Sequence, residues 1–161
     1  MSGNLKPRQV FTNPIHFLAY GFGAGLSPKA PGTMGTVAAI PLYVGLMTLG
    51  QPVYWAFTVL ALVAGVYICG YTAKVIGVDD PKSVVWDEVV GYLITMLCVP
   101  FGWLWILAGF LLFRLFDIWK PWPIRWLDRN VKGGLGIMVD DVLAAVFACL
   151  ILNLARYLLK L

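Results

Sequence analysis

The sequence is poor in charge. Of its 161 residues only 12% are Asp, Glu, Lys or Arg, while 60% are apolar; soluble domains carry roughly 25% and 45–50% respectively. An ordinary soluble enzyme is therefore not expected, and a mean hydropathy of +0.82 points to lipid as the solvent. Disorder, which needs low hydrophobicity and high net charge, is excluded by the same arithmetic. Histidine is represented by His16 alone, too little for a zinc site or a two-histidine phosphatase. Cys69, Cys98 and Cys149 form no CxxC pair and sit in apolar segments, so they read as small buried hydrophobes. No cysteine is followed by an Arg-bearing anion loop, and GxSxG, DxD, GxxxxGK[ST] and strand-borne GxGxxG motifs are missing. A cleavable signal is not expected either, because Lys6 and Arg8 lead into Asn13, Pro14, His16 and several glycines instead of an apolar run.

What is present is a set of uncharged stretches. No charge falls between Lys29 and Lys74, and Gly50, Gln51 and Pro52 divide that span into helices expected at about Thr33–Leu49 and Val53–Ala73. Two further uncharged runs cover Val89–Phe113 and Val142–Ala155. Each is apolar on nearly all sides, as a helix surrounded by protein or lipid is. The 25 residues of Val89–Phe113 would cross a bilayer once as a single helix of roughly 37 Å. Folded at Pro100–Gly102 they would instead form a hairpin that enters and leaves on one side.

The acids favour the hairpin. All eight fall within Asp79–Glu88 and Asp117–Asp141, the windows flanking that run, and only a hairpin lets the two windows meet. Lys74 and Lys82 accompany the first window, and Arg114, Lys120, Arg125, Arg129 and Lys132 the second, which puts both on one cytoplasmic side by the positive-inside tendency. Pro121, Pro123, Gly133, Gly134 and Gly136 make Lys120–Gly136 a loop, with a short interfacial helix at Ile124–Asn130. Trp119, Trp122 and Trp126 suit either a headgroup belt or plain packing. The expectation is one domain over 1–161: an all-α, multi-pass membrane helical bundle with hairpin helices and a Gly/Pro-rich cytoplasmic active-site loop.

Paired acids are costly in such a chain and are candidates for function. Asp79-Asp80 before Pro81 reads as a turn. Asp87-Glu88 and Asp140-Asp141 each open an apolar run, where capping and helix-dipole complementarity account for one acid of a pair but not for two. Asp117 stands three residues from both Arg114 and Lys120, so an intrahelical ion pair competes with a role in the site. Carboxylates without histidine or thiol select hard cations such as Mg²⁺, and Arg and Lys are natural phosphate ligands. The segment GFGAGLSPKAPGTMGT, with Ser27, Thr33 and Thr36, reads as a possible phosphate cradle or as a tight loop into the first long helix. Nucleophile motifs being absent, attack by metal-activated water is the expected chemistry, with a covalent aspartyl-phosphate as the alternative.

The blocks GFGAGLSPKAPGTMGT, VVWDEVVG and FRLFDIWKPWPIRWLDRNVKGGLGIMVDDVLA together resemble the phosphatidylglycerophosphatase A family of bacteria, over about Asn13–Ala145. The resemblance implies a small multi-pass protein of the inner membrane, dependent on Mg²⁺, that hydrolyses the terminal phosphomonoester of phosphatidylglycerophosphate on the cytoplasmic leaflet. It implies Asp87, Glu88, Asp117, Asp140 and Asp141 as metal ligands or as the base that orients water. Lys120, Arg125 and Arg129, supported by Arg114, would hold phosphate oxygens, with Ser27, Thr33 and Thr36 contributing hydroxyls or amides and Asp128 orienting the arginines. Partners are then the phospholipid substrate and the bilayer, with no nucleic acid and no obligate protein. A small ion or phosphate transporter is the competing reading, distinguished by acids near the bilayer midplane.

Overall fold

The computed structural model describes residues 4–160, and among these the regular structure is entirely helical. Two short helices, α1 (Pro7–Thr12) and α2 (Pro14–Ala19), precede the four long elements α3 (Pro31–Thr48), α4 (Gln51–Ile76), α6 (Trp103–Trp119) and α8 (Gly133–Leu159); α5 (Trp86–Thr95) and α7 (Ile124–Asn130) are short. Proline lies in the first turn of α1, α2, α3 and α4, where its missing N–H removes no hydrogen bond. Gly77, left-handed at φ 79°, ends α4.

The uncharged run after Glu88 is indeed two helices. At ten residues α5 is about 15 Å long, too short to cross a bilayer, and α6 returns from Gly102. Orphaned carbonyls at the turn are met by neighbouring elements, as nonhelical backbone in an apolar setting requires. Tyr54 Oη of α4 donates to Leu93 O, Asn153 Nδ2 and Cys149 Sγ of α8 donate to Leu97 O at 3.3 Å each, and Arg156 donates to Cys98 O at 3.0 Å. Against the expected burial of all three cysteines, only Cys69 is buried; Cys98 is exposed in this turn, where its backbone is left-handed (φ 60°), and Cys149 is half-buried.

The C-terminal helix departs furthest from expectation. It begins at Gly133, not near Val142, so Asp140 and Asp141 lie two turns inside α8 and cap nothing. Of the glycines that read as loop, Gly133 opens the helix at φ 71°, whereas Gly134 and Gly136 are packing positions. A Cβ on Gly134 would overlap Val66 O, and Gly70 of α4 lies against it, so the two long helices meet backbone to backbone. Helix α8 occupies the centre, packed on α4, α5, α6 and α7.

The exterior is apolar where these helices face outward: Leu60 and Val63 on α4, Leu104 and Leu111 on α6 and Leu150 and Leu154 on α8 are all more than half exposed. Helices α4 and α8 are long and apolar enough to cross a membrane. Trp119, Trp122 and Trp126 point outward at 61%, 82% and 56% exposure, so they are not packing residues.

Candidate active site

Folding the hairpin brings the two acid windows together. One cavity of about 530 Å³ is lined by all eight acidic side chains: Asp79, Asp80, Asp87, Glu88, Asp117, Asp128, Asp140 and Asp141. Lys82, Arg114, Lys120 and Lys132 line it too. The first turn of α5 supplies Asp87 and Glu88, the last two turns of α6 supply Arg114 and Asp117, and the second and third turns of α8 supply Asp140 and Asp141.

The acids divide by their partners. Lys120 Nζ donates to Asp140 Oδ2 at 2.6 Å and to Asp128 Oδ1 at 2.7 Å. Burial would lower the Lys120 pKa, but these hydrogen bonds more than offset it and leave it raised. Lys120 closes α6 in the left-handed conformation (φ 45°), which costs a non-glycine residue roughly 1–2 kcal/mol, and the two ion pairs sustain it. Arg114 hydrogen-bonds Asp117 one turn on, the ion pair that competed with a site role for Asp117, and also faces Glu88 Oε1 at 3.8 Å.

A second group keeps one oxygen on each acid without a hydrogen bond. One ligand atom each from Asp87, Glu88 and Asp141 lies within 4.8 Å of the others. Asp87 Oδ1, Glu88 Oε2 and Asp141 Oδ2 are sealed from solvent without a hydrogen bond, as is the donor Arg114 Nε. Burial, then the charges of Glu88 and Asp141, push the Asp87 carboxyl well above its ordinary value, and burial lifts Glu88 to about 7. Buried charges of one sign with unfilled lone pairs are strongly unfavourable unless a cation joins them. Three hard oxygens in this arrangement fit a divalent ion such as Mg²⁺, and they leave coordination positions for phosphate oxygens and water.

Several anticipated residues stand elsewhere. Arg125 and Arg129 are exposed on α7, outside the acid cavity, and Arg125 donates to Trp119 O at 3.2 Å. Asp128 pairs with Lys120 instead of orienting the two arginines. Ser27 donates to Lys29 O, and buried Thr36 donates to Gly32 O within its own helix; neither they nor Thr33 line the cavity. The glycine-rich segment is a packing device. A Cβ on Gly35 would meet Val85 Cβ at 2.8 Å, and Gly25 abuts Ser83 O, so the chain just before α5 is held where Asp87 and Glu88 reach the cavity. Only Gly32 touches an acid, since its Cβ would overlap Glu88 Oε1. Conversely, Asp79 and Asp80, read as a turn, face the cavity with Lys82 and Lys132. The interleaving of both signs in these windows was the signal for them.

Buried carboxylates with cations set among them are suited to phosphate esters, and the chemistry of such a cavity is that of a phosphatase. The sequence model of phosphatidylglycerophosphatase A matches residues 17–156. A relative named phosphatidylglycerophosphatase A from Escherichia coli (strain K12) is 51% identical over 148 residues, 91% of this chain and 86% of that protein. One of the same name from Haemophilus influenzae is 48% identical over 90% of each chain. A Bacteroides thetaiotaomicron protein with the provisional name phosphatidylinositol-3-phosphatase is 41% identical over 86% of this chain and 91% of its own. No solved structure matches. The chain belongs to the phosphatidylglycerophosphatase A family and is a phosphatase.

Proposed function

We propose that this chain, as one membrane-embedded domain, uses Mg²⁺ to hydrolyse the terminal phosphomonoester of phosphatidylglycerophosphate, yielding phosphatidylglycerol and phosphate. The observation that carries the reading is the trio Asp87, Glu88 and Asp141 with its three unpartnered oxygens; the names of the E. coli and H. influenzae relatives supply the substrate. Mg²⁺ held by the trio would neutralise phosphoryl charge and lower the pKa of a water. Arg114, with Nε free of any partner, would take a nonbridging phosphate oxygen, and Lys82 and Lys132 at the rim would draw the dianion in. Asp117 and Asp140 act as positioning residues, since each fixes a cation, Arg114 and Lys120, at the cavity wall. Water attacks the terminal phosphorus in line as the glycerol oxygen departs, and acceleration comes from orientation and charge neutralisation.

The cavity would face the cytoplasm. Apart from Arg156 and Lys160, the basic residues belong to segments at the cavity end or to the N-terminal helices, which are tied to that end by Ser83 Oγ donating to Tyr20 Oη and His16 pairing with Thr72. Such asymmetry marks the inner side. It also argues against transport, for which acids would continue along the bundle.

The test is phosphate release from phosphatidylglycerophosphate in mixed micelles by purified protein, with EDTA and then with excess Mg²⁺. Release abolished by chelator and restored by Mg²⁺ is the expected outcome; release indifferent to chelator would remove the metal, and no release from folded protein would remove the substrate.

A further inference from the structure

A groove of about 950 Å³ runs along the outer face of α6, lined by Leu111, Arg114, Leu115, Ile118, Trp119 and Arg125. Residues 111, 115 and 118 recur at helical spacing, so they form one stripe, and Leu111, Leu115 and Ile118 are 57%, 52% and 70% exposed. Arg114 and Ile118 also line the acid cavity, so groove and cavity are continuous through these two side chains. Their charges are opposite in kind: the cavity holds every acid in the chain, whereas the groove is lined by two arginines and no acid.

A lipid substrate of the proposed activity carries two phosphates of different character: a terminal monoester that must reach the reacting site, and an internal diester beside the acyl chains. The acyl chains cannot enter a cavity lined by eight carboxylates, and the diester anion gains nothing among them. An apolar stripe ending at an exposed guanidinium matches both. We infer that the groove is the lateral entry for the lipid, with one acyl chain along Leu111, Leu115 and Ile118 and the internal phosphodiester at Arg125, so that Arg125 determines specificity without touching the reacting phosphorus. Arg114, shared by both compartments, sits between the two phosphates. This rests on the lipid phosphatase reading for its ligand, and explains why Arg125 lies in a phosphatase's charge-rich segment yet outside its cavity.

Two measurements test it. A phosphatidylglycerophosphate analogue with a diazirine on one acyl chain, photolysed with the whole protein in mixed micelles, should label residues 111–119 above the equally apolar exposed faces of α4 and α8. Label spread evenly over the three helices would overturn the groove. In kinetics on long-chain substrate, Arg125→Gln should raise KM about tenfold, as loss of a charged hydrogen bond implies, with kcat within twofold of wild type and Arg125→Lys recovering most of the loss. An unchanged KM in Arg125→Gln would overturn the diester contact. Wild-type turnover reads the phosphatase assignment and the crosslink map reads the groove, so the two fail separately.

Discussion

The two ends of this helical bundle handle buried polar groups in opposite ways. At the hairpin turn, polar side chains of α4, α5 and α8 are consumed by the protein's own backbone: Tyr54 on Leu93 O, Tyr92 on Ile106 O, Asn153 on Leu97 O. The exception is Tyr43, whose buried hydroxyl lacks a partner between the rings of Tyr54 and Tyr92. At the other end three carboxylate oxygens and an arginine nitrogen are sealed away with nothing to bond. A fold that completes all but one of these bonds at one end and leaves opposite charges open at the other fits the proposed binding of groups from outside the chain. The same contrast separates stability from chemistry, and mutations can pull the two apart.

The largest effect belongs to the trio. Asp141→Asn, a nearly isosteric change at a residue only 3% exposed, should lower phosphate release by about 10²–10³-fold, the several kcal/mol that a metal's charge contributes. It should leave the melting temperature unchanged or higher, because a repelling buried charge is removed. A fall in melting temperature with activity retained would make Asp141 a structural residue like those at the turn. Next, Gly32→Ala should reduce turnover by at least tenfold, since the new methyl displaces Glu88 Oε1, and Mn²⁺ affinity should fall with it; full activity would separate Glu88 from the ion. Lys120→Met frees Asp140 and Asp128, and loss of such a supporting partner typically costs 10–100-fold in activity. At the other end, Tyr54→Phe should cost about 1 kcal/mol of stability, read by thermal or denaturant melting in detergent, with specific activity per folded molecule within twofold. A large activity loss there would erase the contrast between the ends. Arg129→Ala, exposed and outside the acid cavity, should change neither quantity beyond twofold.

Much of this arrangement could be read from residue order. Pro100 and Gly102 in an otherwise unbroken apolar run, with acids at both of its ends, required a fold-back, and α7 at Ile124–Asn130 followed from the prolines before it. Less legible was whatever depended on the approach of other elements. Gly133, Gly134 and Gly136 signal a loop locally, yet α4 packs too closely on Gly134, and the Val131 backbone on Gly136, for a side chain at either, and contact overrides propensity. Arg125 and Arg129 share the charge-rich window with Lys120, but α6 ends at Trp119 and α7 turns them outward. The hydroxyls of Ser27 and Thr36 lie in a segment rich in phosphate-loop residue types, while their hydrogen bonds close on their own backbone. Composition gave the chemistry of the site, and only packing could divide the carboxylate oxygens into those bound to a cation of the chain and those left without a hydrogen bond.

Asp87, Glu88 and Asp141 are proposed to hold the divalent ion that phosphate release requires. Mn²⁺ binding to purified wild-type protein and to Asp141→Asn, followed by electron paramagnetic resonance without substrate, tests this most directly. Saturable binding by wild type, displaced by Mg²⁺ and weakened at least tenfold in the variant, is the expected result. Equal binding by both proteins, or none by folded wild type, would contradict it.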